Sequence, residues 1–231
     1  RSVPIKADWE VDIDNLIKGC DENTGLLFIA NPNNPTGLLI SQNEIKRLLE
    51  NIPASTILVL DEAYYEYAAK QLTCNSISWL DEHPNLLITR TFSKIYGMAG
   101  LRLGYAIANP EIISLLQRVQ LPFAVNQLAL TAAHAAIDDS DFIARSLKNN
   151  AAGMQQMQEG FQQLNLEFID SSCNFLTFDC KEDSSKLYNF LLDRGIIVRP
   201  LHPYQMPNYI RVTIGTPEQN TRFLNALKEY Y

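Results

Sequence analysis

The chain has 231 residues, 46% of them hydrophobic and 19% charged, which is enough apolar sequence to bury a core. Its formal net charge of −7 argues against broad binding to nucleic acid or to an anionic membrane, because both partners reward a basic surface. No apolar run reaches the ~18 residues that a membrane-spanning helix needs. The sequence therefore predicts a globular protein with no nucleic-acid or membrane partner.

The cysteines and the first residues indicate the compartment and the extent of the chain. Cys20, Cys74, Cys173 and Cys180 form no CxxC pair, and a chain of this size needs no disulfide framework. We therefore expect reduced thiols and a cytoplasmic location. The sequence begins RSVPIKADWEVD, without Met and without the apolar core of a signal peptide, so we expect a piece of a longer protein.

The first part of the chain alternates apolar runs with helical patterns. Nearly continuous apolar runs predict strands buried on both faces at residues 25–30, 56–60, 86–92 and 103–108. The clearest helix follows Ser41, which forms an S-x-x-E capping box with Glu44, and ends before Pro53. This alternation predicts an α/β fold with a mostly parallel sheet flanked by helices.

The second part of the chain has a different pattern. A long Gln- and Ala-rich helical segment runs from about 138 to 164. Further strands are predicted at residues 166–170, 174–178, 196–199 and 209–214, with a helix at 184–193. The last helix starts at Thr216, and Gln219 completes a second capping box. We predict two domains, residues 1–137 and a smaller α+β domain at residues 138–231.

A motif rich in Asn and Pro, NPNNPTG at residues 31–37, lies between the first predicted strand and the Ser41 helix. In an open α/β sheet, ligands bind at the carboxyl ends of the strands. Two prolines and a glycine would hold the Asn34 amide rigidly there. The same residue types also make ordinary turns, so the motif alone leaves both interpretations open.

Asp61, in the motif DEAY, ends the predicted strand TILVL. A carboxylate at the end of a buried strand is costly unless a cation or hydrogen-bond donor meets it. The protonated ring nitrogen of a cofactor would be such a partner. An Asp that only caps the following segment is the alternative.

Lys94 lies in the motif TFSK, and Arg102 follows it eight residues later in GLRLG. A lysine whose pKa is lowered by its neighbours is a good nucleophile, and hydroxyls with an arginine can bind a phosphate. A solvated surface lysine is the ordinary alternative. That alternative must also explain why Thr91, Ser93 and Arg102 are spaced around Lys94 like phosphate ligands.

Four motifs together, NPNNPTG, DEAY, TFSKIYGMAGLRLG and YIRVTIGTPEQN, resemble class I/II pyridoxal-phosphate-dependent aminotransferases of fold type I, in the branch that acts on histidinol phosphate. The resemblance spans nearly all of residues 24–228. It implies that Lys94 carries pyridoxal 5'-phosphate as a Schiff base and that Asp61 pairs with the pyridine nitrogen. The freed Lys94 amine would then move the substrate's α-proton.

The same resemblance implies the remaining cofactor contacts. Asn34 and Tyr64 would hydrogen-bond the phenolic oxygen, and Thr91, Ser93 and Arg102 would bind the phosphate. Residues 1–137 would be the C-terminal portion of the large cofactor-binding domain. Relatives carry a further segment ahead of the position where this chain begins.

Two arginines are candidates for substrate binding. In YIRVTI, residues 209–214, polar and apolar side chains alternate, which puts Arg211 on a polar strand face. A solvated sheet face explains this pattern too, whereas the resemblance implies that Arg211 clamps an anionic group of the substrate. Arg199 resembles a second such arginine. Two arginines favour a phosphate substrate, because a phosphate carries up to two charges.

The resemblance implies transamination of L-histidinol phosphate with 2-oxoglutarate, which gives imidazole-acetol phosphate and glutamate in histidine biosynthesis. It also implies a homodimer. The same fold is compatible with a phosphothreonine decarboxylase or an aromatic aminotransferase. A truncated noncatalytic binding domain is the alternative of another class. His83, His134 and His202 show neither triad nor metal-ligand spacing, so we predict no metal site.

Overall fold

The computed structural model describes residues 1–72 and 74–231, which form two compact units. Unit 1 comprises Arg1–Asn33 and Leu39–Ile143, and unit 2 comprises Asn34–Leu38 and Ala144–Tyr231. Unit 2 is therefore built from two stretches that are far apart in sequence. The predicted domain limits, 1–137 and 138–231, stay a prediction. No helix among the described residues is long and apolar enough to cross a membrane.

The sheet of unit 1 has four strands in the order β1-β2-β3-β4. Strands β1 (Leu26–Ala30), β2 (Ile57–Asp61) and β3 (Leu86–Thr91) are parallel, and β4 (Gly104–Ala108) pairs antiparallel with β3. The predicted mostly parallel sheet with flanking helices is confirmed.

The helices of unit 1 begin and end at residues that the local sequence specifies. They are α1 (Ile13–Gly19), α2 (Gln42–Asn51), α3 (Tyr65–Ala68), α4 (Pro110–Val119) and α5 (Gln127–Ile137), and α6 (Ser140–Gln163) starts in this unit. The Ser41 side chain accepts a hydrogen bond from the Glu44 amide at 3.2 Å, as the capping motif predicts. Helix α2 buries Ile45 and Leu48 in the core, together with Leu58 of β2.

Strands β1 and β4 differ from the prediction that all four runs are buried on both faces. Leu26 and Phe28 of β1 are 55% and 69% exposed, whereas Ile29 between them is buried. No residue of β4 falls in the buried class. The prediction is wrong for these two edge strands, because an apolar run shows that a strand can be buried but not which elements cover it.

Unit 2 contains a four-stranded antiparallel sheet in the order β5-β6-β8-β7. Its strands are β5 (Phe168–Ile169), β6 (Phe175–Asp179), β7 (Arg199–Leu201) and β8 (Met206–Thr213), and its helices are the remainder of α6, α7 (Ser184–Asp193) and α8 (Pro217–Tyr230). Thr216 and Gln219 form the predicted capping box of α8. Each of these strands overlaps one of the four ranges that the sequence predicts.

The core of unit 2 is rich in aromatic rings. The Phe161 ring lies 4.7 Å from that of Phe178, and Phe223 lies 6.2 Å from both, measured between centroids. All three side chains are buried, and Ile210 and Leu187 pack with them in one apolar cluster. These contacts fix the sheet and helix α8 to each other.

The segment 34–38 is built into the sheet of unit 2. The buried Thr177 hydroxyl donates a hydrogen bond to the Pro35 carbonyl at 2.5 Å, and the Ser172 amide donates to the Gly37 carbonyl at 2.8 Å. Gly37 has φ of 85°, and a Cβ atom there would lie 2.2 Å from the Ser171 hydroxyl. Only glycine therefore meets both requirements at position 37.

Candidate active site

The predicted chemical groups of unit 1 lie where β2 and β3 end. Asp61 is the last residue of β2, and Thr91 is the last residue of β3. Because the two strands are parallel and adjacent, both ends lie on one edge of the sheet, which we call the carboxyl edge. This is the edge at which open α/β sheets bind ligands.

Asp61 presents an accessible carboxylate at the carboxyl edge. Its side chain is exposed, and Oδ1 accepts a hydrogen bond from the Ala63 amide at 3.1 Å. No ion pair joins Asp61 to another residue in the part of the chain that the structure describes. The carboxylate is therefore oriented by the backbone and open to a cationic partner.

Lys94 lies over the ring of Tyr64, which follows Asp61 by three residues. Lys94 Nζ lies 5.0 Å from the centroid of the Tyr64 ring, and Tyr64 is buried. A turn in which the Gly97 amide donates to the Lys94 carbonyl at 2.9 Å holds the lysine three residues beyond β3. The structure thus brings the predicted lysine and the predicted tyrosine together within one unit.

Donors suited to a phosphate surround the exit from β3. The Thr91 hydroxyl accepts a hydrogen bond from the Ser93 amide at 3.0 Å, and Thr91 pairs with Gly104 at the start of β4. Arg102 has φ of 54° and is exposed, and its Nη1 donates to the Ala99 carbonyl at 2.8 Å. The backbone therefore places two hydroxyls and a guanidinium along the connection from β3 to β4.

These groups match the chemistry of pyridoxal 5'-phosphate. The exposed Asp61 carboxylate suits a protonated ring nitrogen, and the Lys94 amine suits an aldehyde. Thr91, Ser93 and Arg102 suit a phosphate, because hydroxyls and a guanidinium donate several hydrogen bonds to its oxygens. The residues of unit 1 therefore fit this cofactor, and the role of each stays a prediction.

The two candidate arginines of unit 2 are neighbours across the sheet. Arg199 of β7 pairs in register with Arg211 of β8, and both line a cavity of about 360 Å³. Arg211 lies 4.9 Å over the Phe175 ring and donates a short hydrogen bond to the Asn34 side-chain oxygen. Arg199 is exposed. The predicted alternation in β8 is confirmed, because Ile210, Val212 and Ile214 are buried on the opposite face.

Comparison with known proteins identifies the family. The model of the family described as "Aminotransferase class I and II" matches residues 1–227. The chain belongs to this family.

Two curated relatives have one function in common by name. Histidinol-phosphate aminotransferase 2 of Legionella pneumophila (strain Lens) is 70% identical over all 231 residues, and this chain covers 63% of that relative. Histidinol-phosphate aminotransferase 2 of Pseudomonas fluorescens is 47% identical over 98% of this chain and 61% of the relative. The chain thus spans less than two thirds of the length of these relatives.

Solved structures of an aminotransferase and of a decarboxylase have the same fold. The histidinol-phosphate aminotransferase from Sinorhizobium meliloti, in complex with pyridoxal-5'-phosphate, gives a TM-score of 0.90 at 30% identity, over 99% of this chain and 63% of that one. L-threonine-O-3-phosphate decarboxylase from Porphyromonas gingivalis gives 0.79 at 27% identity, over 90% and 65%. The predicted fold type I is confirmed.

Sequence reasoning missed two buried charged residues, Glu62 and Arg90, which form an ion pair at 2.7 Å beside the carboxyl edge. A signal was present, because Arg90 interrupts the apolar run LLITRTF. A guanidinium in a buried strand must have a buried partner.

Tyr96 packs against Phe92 with ring centroids 4.9 Å apart. Burial and, next, the nearby Glu66 carboxylate raise the pKa of Tyr96 to about 12. Its hydroxyl therefore keeps its proton at neutral pH. This makes Tyr96 a poor general base.

Proposed function

We propose that the protein to which this chain belongs transfers an amino group between L-histidinol phosphate and 2-oxoglutarate, using pyridoxal 5'-phosphate. The products would be imidazole-acetol phosphate and glutamate, in histidine biosynthesis. The observation that carries the proposal is the meeting of Lys94 and Tyr64 at the strand edge that also ends in Asp61. The 70% identity to a relative named for this activity supports the choice of substrate.

The residues of unit 1 would hold the cofactor. Bound pyridoxal 5'-phosphate supplies an aldehyde that reacts with amines and a ring that accepts electrons. Lys94 would attach to it through Nζ, and Asp61 would keep the proton on the ring nitrogen. Thr91, Ser93 and Arg102 would bind its phosphate, as their positions between β3 and β4 support.

Lys94 would also perform the proton transfer. With the cofactor bound, the Lys94 amine would accept the proton that leaves the substrate Cα atom. Asn34 and Tyr64 would hydrogen-bond the phenolic oxygen of the cofactor. The Tyr64 ring is buried, which limits the conformations of its hydroxyl.

Arg211 and Arg199 would bind the anionic group of the substrate. Their positions as cross-strand neighbours support a shared anion site, because two guanidinium groups can donate four or more hydrogen bonds to one phosphate. Glutamate would present one carboxylate to the same arginines. Arg211 is oriented by Phe175 and Asn34, which leaves part of its fork free for a ligand.

A cytoplasmic homodimer is part of the proposal. Val119, Leu121, Phe123 and Leu128 are all more than 75% exposed, and Phe123 is fully exposed. Monomeric proteins rarely expose apolar surface of this extent, so contact with a second subunit would stabilise it.

The test compares the whole protein with Lys94→Ala and with Lys46→Ala, a lysine elsewhere in unit 1. We expect cofactor absorbance of a lysine adduct and transamination of histidinol phosphate in the native protein and in Lys46→Ala, but not in Lys94→Ala. Release of carbon dioxide from phosphothreonine would favour the decarboxylase instead. A native protein that shows no Lys94-dependent absorbance would favour a noncatalytic domain.

A further inference from the structure

The Glu62–Arg90 ion pair is buried and is joined to its neighbours by hydrogen bonds. Arg90 Nε donates to Glu62 Oε2 at 2.9 Å, Arg90 Nη2 lies 2.7 Å from the same oxygen, and Ser76 donates to Glu62 Oε1 at 2.6 Å. Arg90 Nη2 also donates to Asn75 at 2.8 Å, and its guanidinium lies 3.7 Å over the Tyr65 ring. Such a network restricts every side chain in it.

The pair joins the two strands that deliver the proposed cofactor ligands. Glu62 directly follows Asp61 at the end of β2, and Arg90 directly precedes Thr91 at the end of β3. Successive side chains of an extended strand point to opposite faces. Accordingly, Glu62 and Arg90 are buried, whereas Asp61 is exposed and Thr91 is partly exposed.

Backbone hydrogen bonds also hold Glu62, and they connect it to β3 and to the following turn. Its amide donates to the Thr89 carbonyl at 2.9 Å, and its carbonyl accepts from the Tyr65 amide at 3.0 Å. Fixing the Glu62 side chain therefore also fixes the turn from Asp61 to Tyr64. A shift of Arg90 would therefore move this turn and the start of the TFSK segment together, because Arg90 contacts Glu62 and directly precedes Thr91.

We propose that the Glu62–Arg90 ion pair positions the ends of β2 and β3 for cofactor binding, with Glu62 and Arg90 as positioning residues. The role of the pair in cofactor binding rests on the proposed function. The coupling of the ends of β2 and β3 by the pair does not. The coupling predicts that loss of the pair loosens both strand ends together. Loose ends bind a cofactor weakly, because the ligands must be ordered again on binding.

The test uses the whole protein in four forms: native, Arg90→Met, Glu62→Gln/Arg90→Met, and the control Arg47→Met. Arg47 is also in unit 1 and pairs with Asp14 and Glu44, but on the surface. Amide hydrogen exchange at residues 61–65 and 91–94 reports the coupling without cofactor. Cofactor affinity, measured by titrating the lysine-adduct absorbance, reports the consequence for the site.

In Arg90→Met we expect exchange at both segments to become at least about tenfold faster. We expect cofactor affinity to fall about 10- to 100-fold. The double variant removes the unpaired buried charge, so it should recover thermal stability while exchange stays fast and affinity stays low. Arg47→Met should leave both measurements unchanged. If Arg90→Met does not fold, the same two measurements are made on the double variant and on the single variant Glu62→Gln.

Native exchange rates in the folded double variant would overturn the proposal, and so would native cofactor affinity there. Either result would show that the pair only keeps buried charge neutral. If the native protein shows no Lys94-dependent absorbance, the proposed function fails by itself. The exchange rates then still decide whether the pair couples the two strand ends.

Discussion

The carboxyl edge of unit 1 and the sheet of unit 2 hold their candidate residues in different ways. At the carboxyl edge, a buried ion pair and its hydrogen bonds lie directly behind the exposed Asp61. In unit 2, the strand that carries Arg211 rests on an apolar core with Phe178 at its centre. Substitutions behind the carboxyl edge should therefore alter both the chemistry and the order of the site. Substitutions behind the sheet of unit 2 should alter folding first.

The substitution Lys94→Ala should have the largest effect on activity and should leave the folding of unit 1 unchanged. Lys94→Ala should lower the transamination rate by about 10²- to 10⁴-fold or more, because the amine that accepts the proton is lost. The unfolding temperature should stay within the error of the native value, since Lys94 makes no ion pair among the residues described. Steady-state kinetics and thermal unfolding check the two parts. A stability loss comparable to the activity loss would contradict this separation.

A substitution in the core of unit 2 should have the opposite signature. Phe178→Ala removes a fully buried ring that contacts Phe161 and Phe223, and it should lower the free energy of unfolding by about 3–5 kcal/mol. Chemical denaturation measures this change. Leu192→Ala, at a 43% exposed position in the same unit, is the control and should cost far less. Equal losses in the two variants would show that the aromatic cluster is not the main source of stability.

Arg211→Lys should affect binding without affecting folding. Lysine keeps the charge but loses the planar fork, so KM for the phosphate substrate should rise about tenfold or more. The kcat value should change less, because Arg211 is proposed to bind an anion and not to move a proton. Arg194→Lys, at a surface pair with Glu229, is the control in the same unit. An unchanged KM in Arg211→Lys would remove this arginine from the proposed substrate site.

The smallest expected effect is a pH dependence at the start of α7. The Ser185 side chain and, next, the Ser185 backbone amide lower the pKa of Asp183 from 3.8 to about 2 in the folded state. A carboxyl with a lowered folded-state pKa stabilises the protein fully above pH 3.8, and this contribution disappears as the pH falls through about 2. Asp183→Asn should therefore unfold at a slightly lower temperature at pH 7 and at the native temperature near pH 2. Thermal scans between pH 7 and about pH 2 measure this difference in unfolding temperature. A difference that is largest at the acid end would contradict the lowered pKa of Asp183.

Local signals in the sequence predicted most of the fold. Ser41 and Thr216 begin their helices because their side chains cap the exposed amides, and this requires no knowledge of distant residues. The alternation in β8 likewise specifies which face is buried. The exposure of Phe28 in β1 was not predictable, because it depends on what the tertiary structure places over that strand.

The candidate site likewise contains residues that local sequence signals predicted and residues that they did not. Asp61 was found because it ends an apolar run, and Lys94 because it follows one, each within a recognisable motif. The Glu62–Arg90 pair was missed because its members are 28 residues apart and Ser76 joins them from a separate 3-10 helix. Contacts of this kind arise from the parallel register of β2 and β3, which short sequence patterns do not encode.

The segment 34–38 has a consequence for how this protein can be divided. Residues 144–231 would have no Pro35 carbonyl to accept the hydrogen bond of the buried Thr177 hydroxyl if they were expressed alone. An unsatisfied buried hydroxyl costs about 1–3 kcal/mol. The smaller unit is thus completed by residues that the ribosome synthesises more than a hundred positions earlier. A cut between the two units, placed at any single peptide bond, would leave one of them with a missing piece.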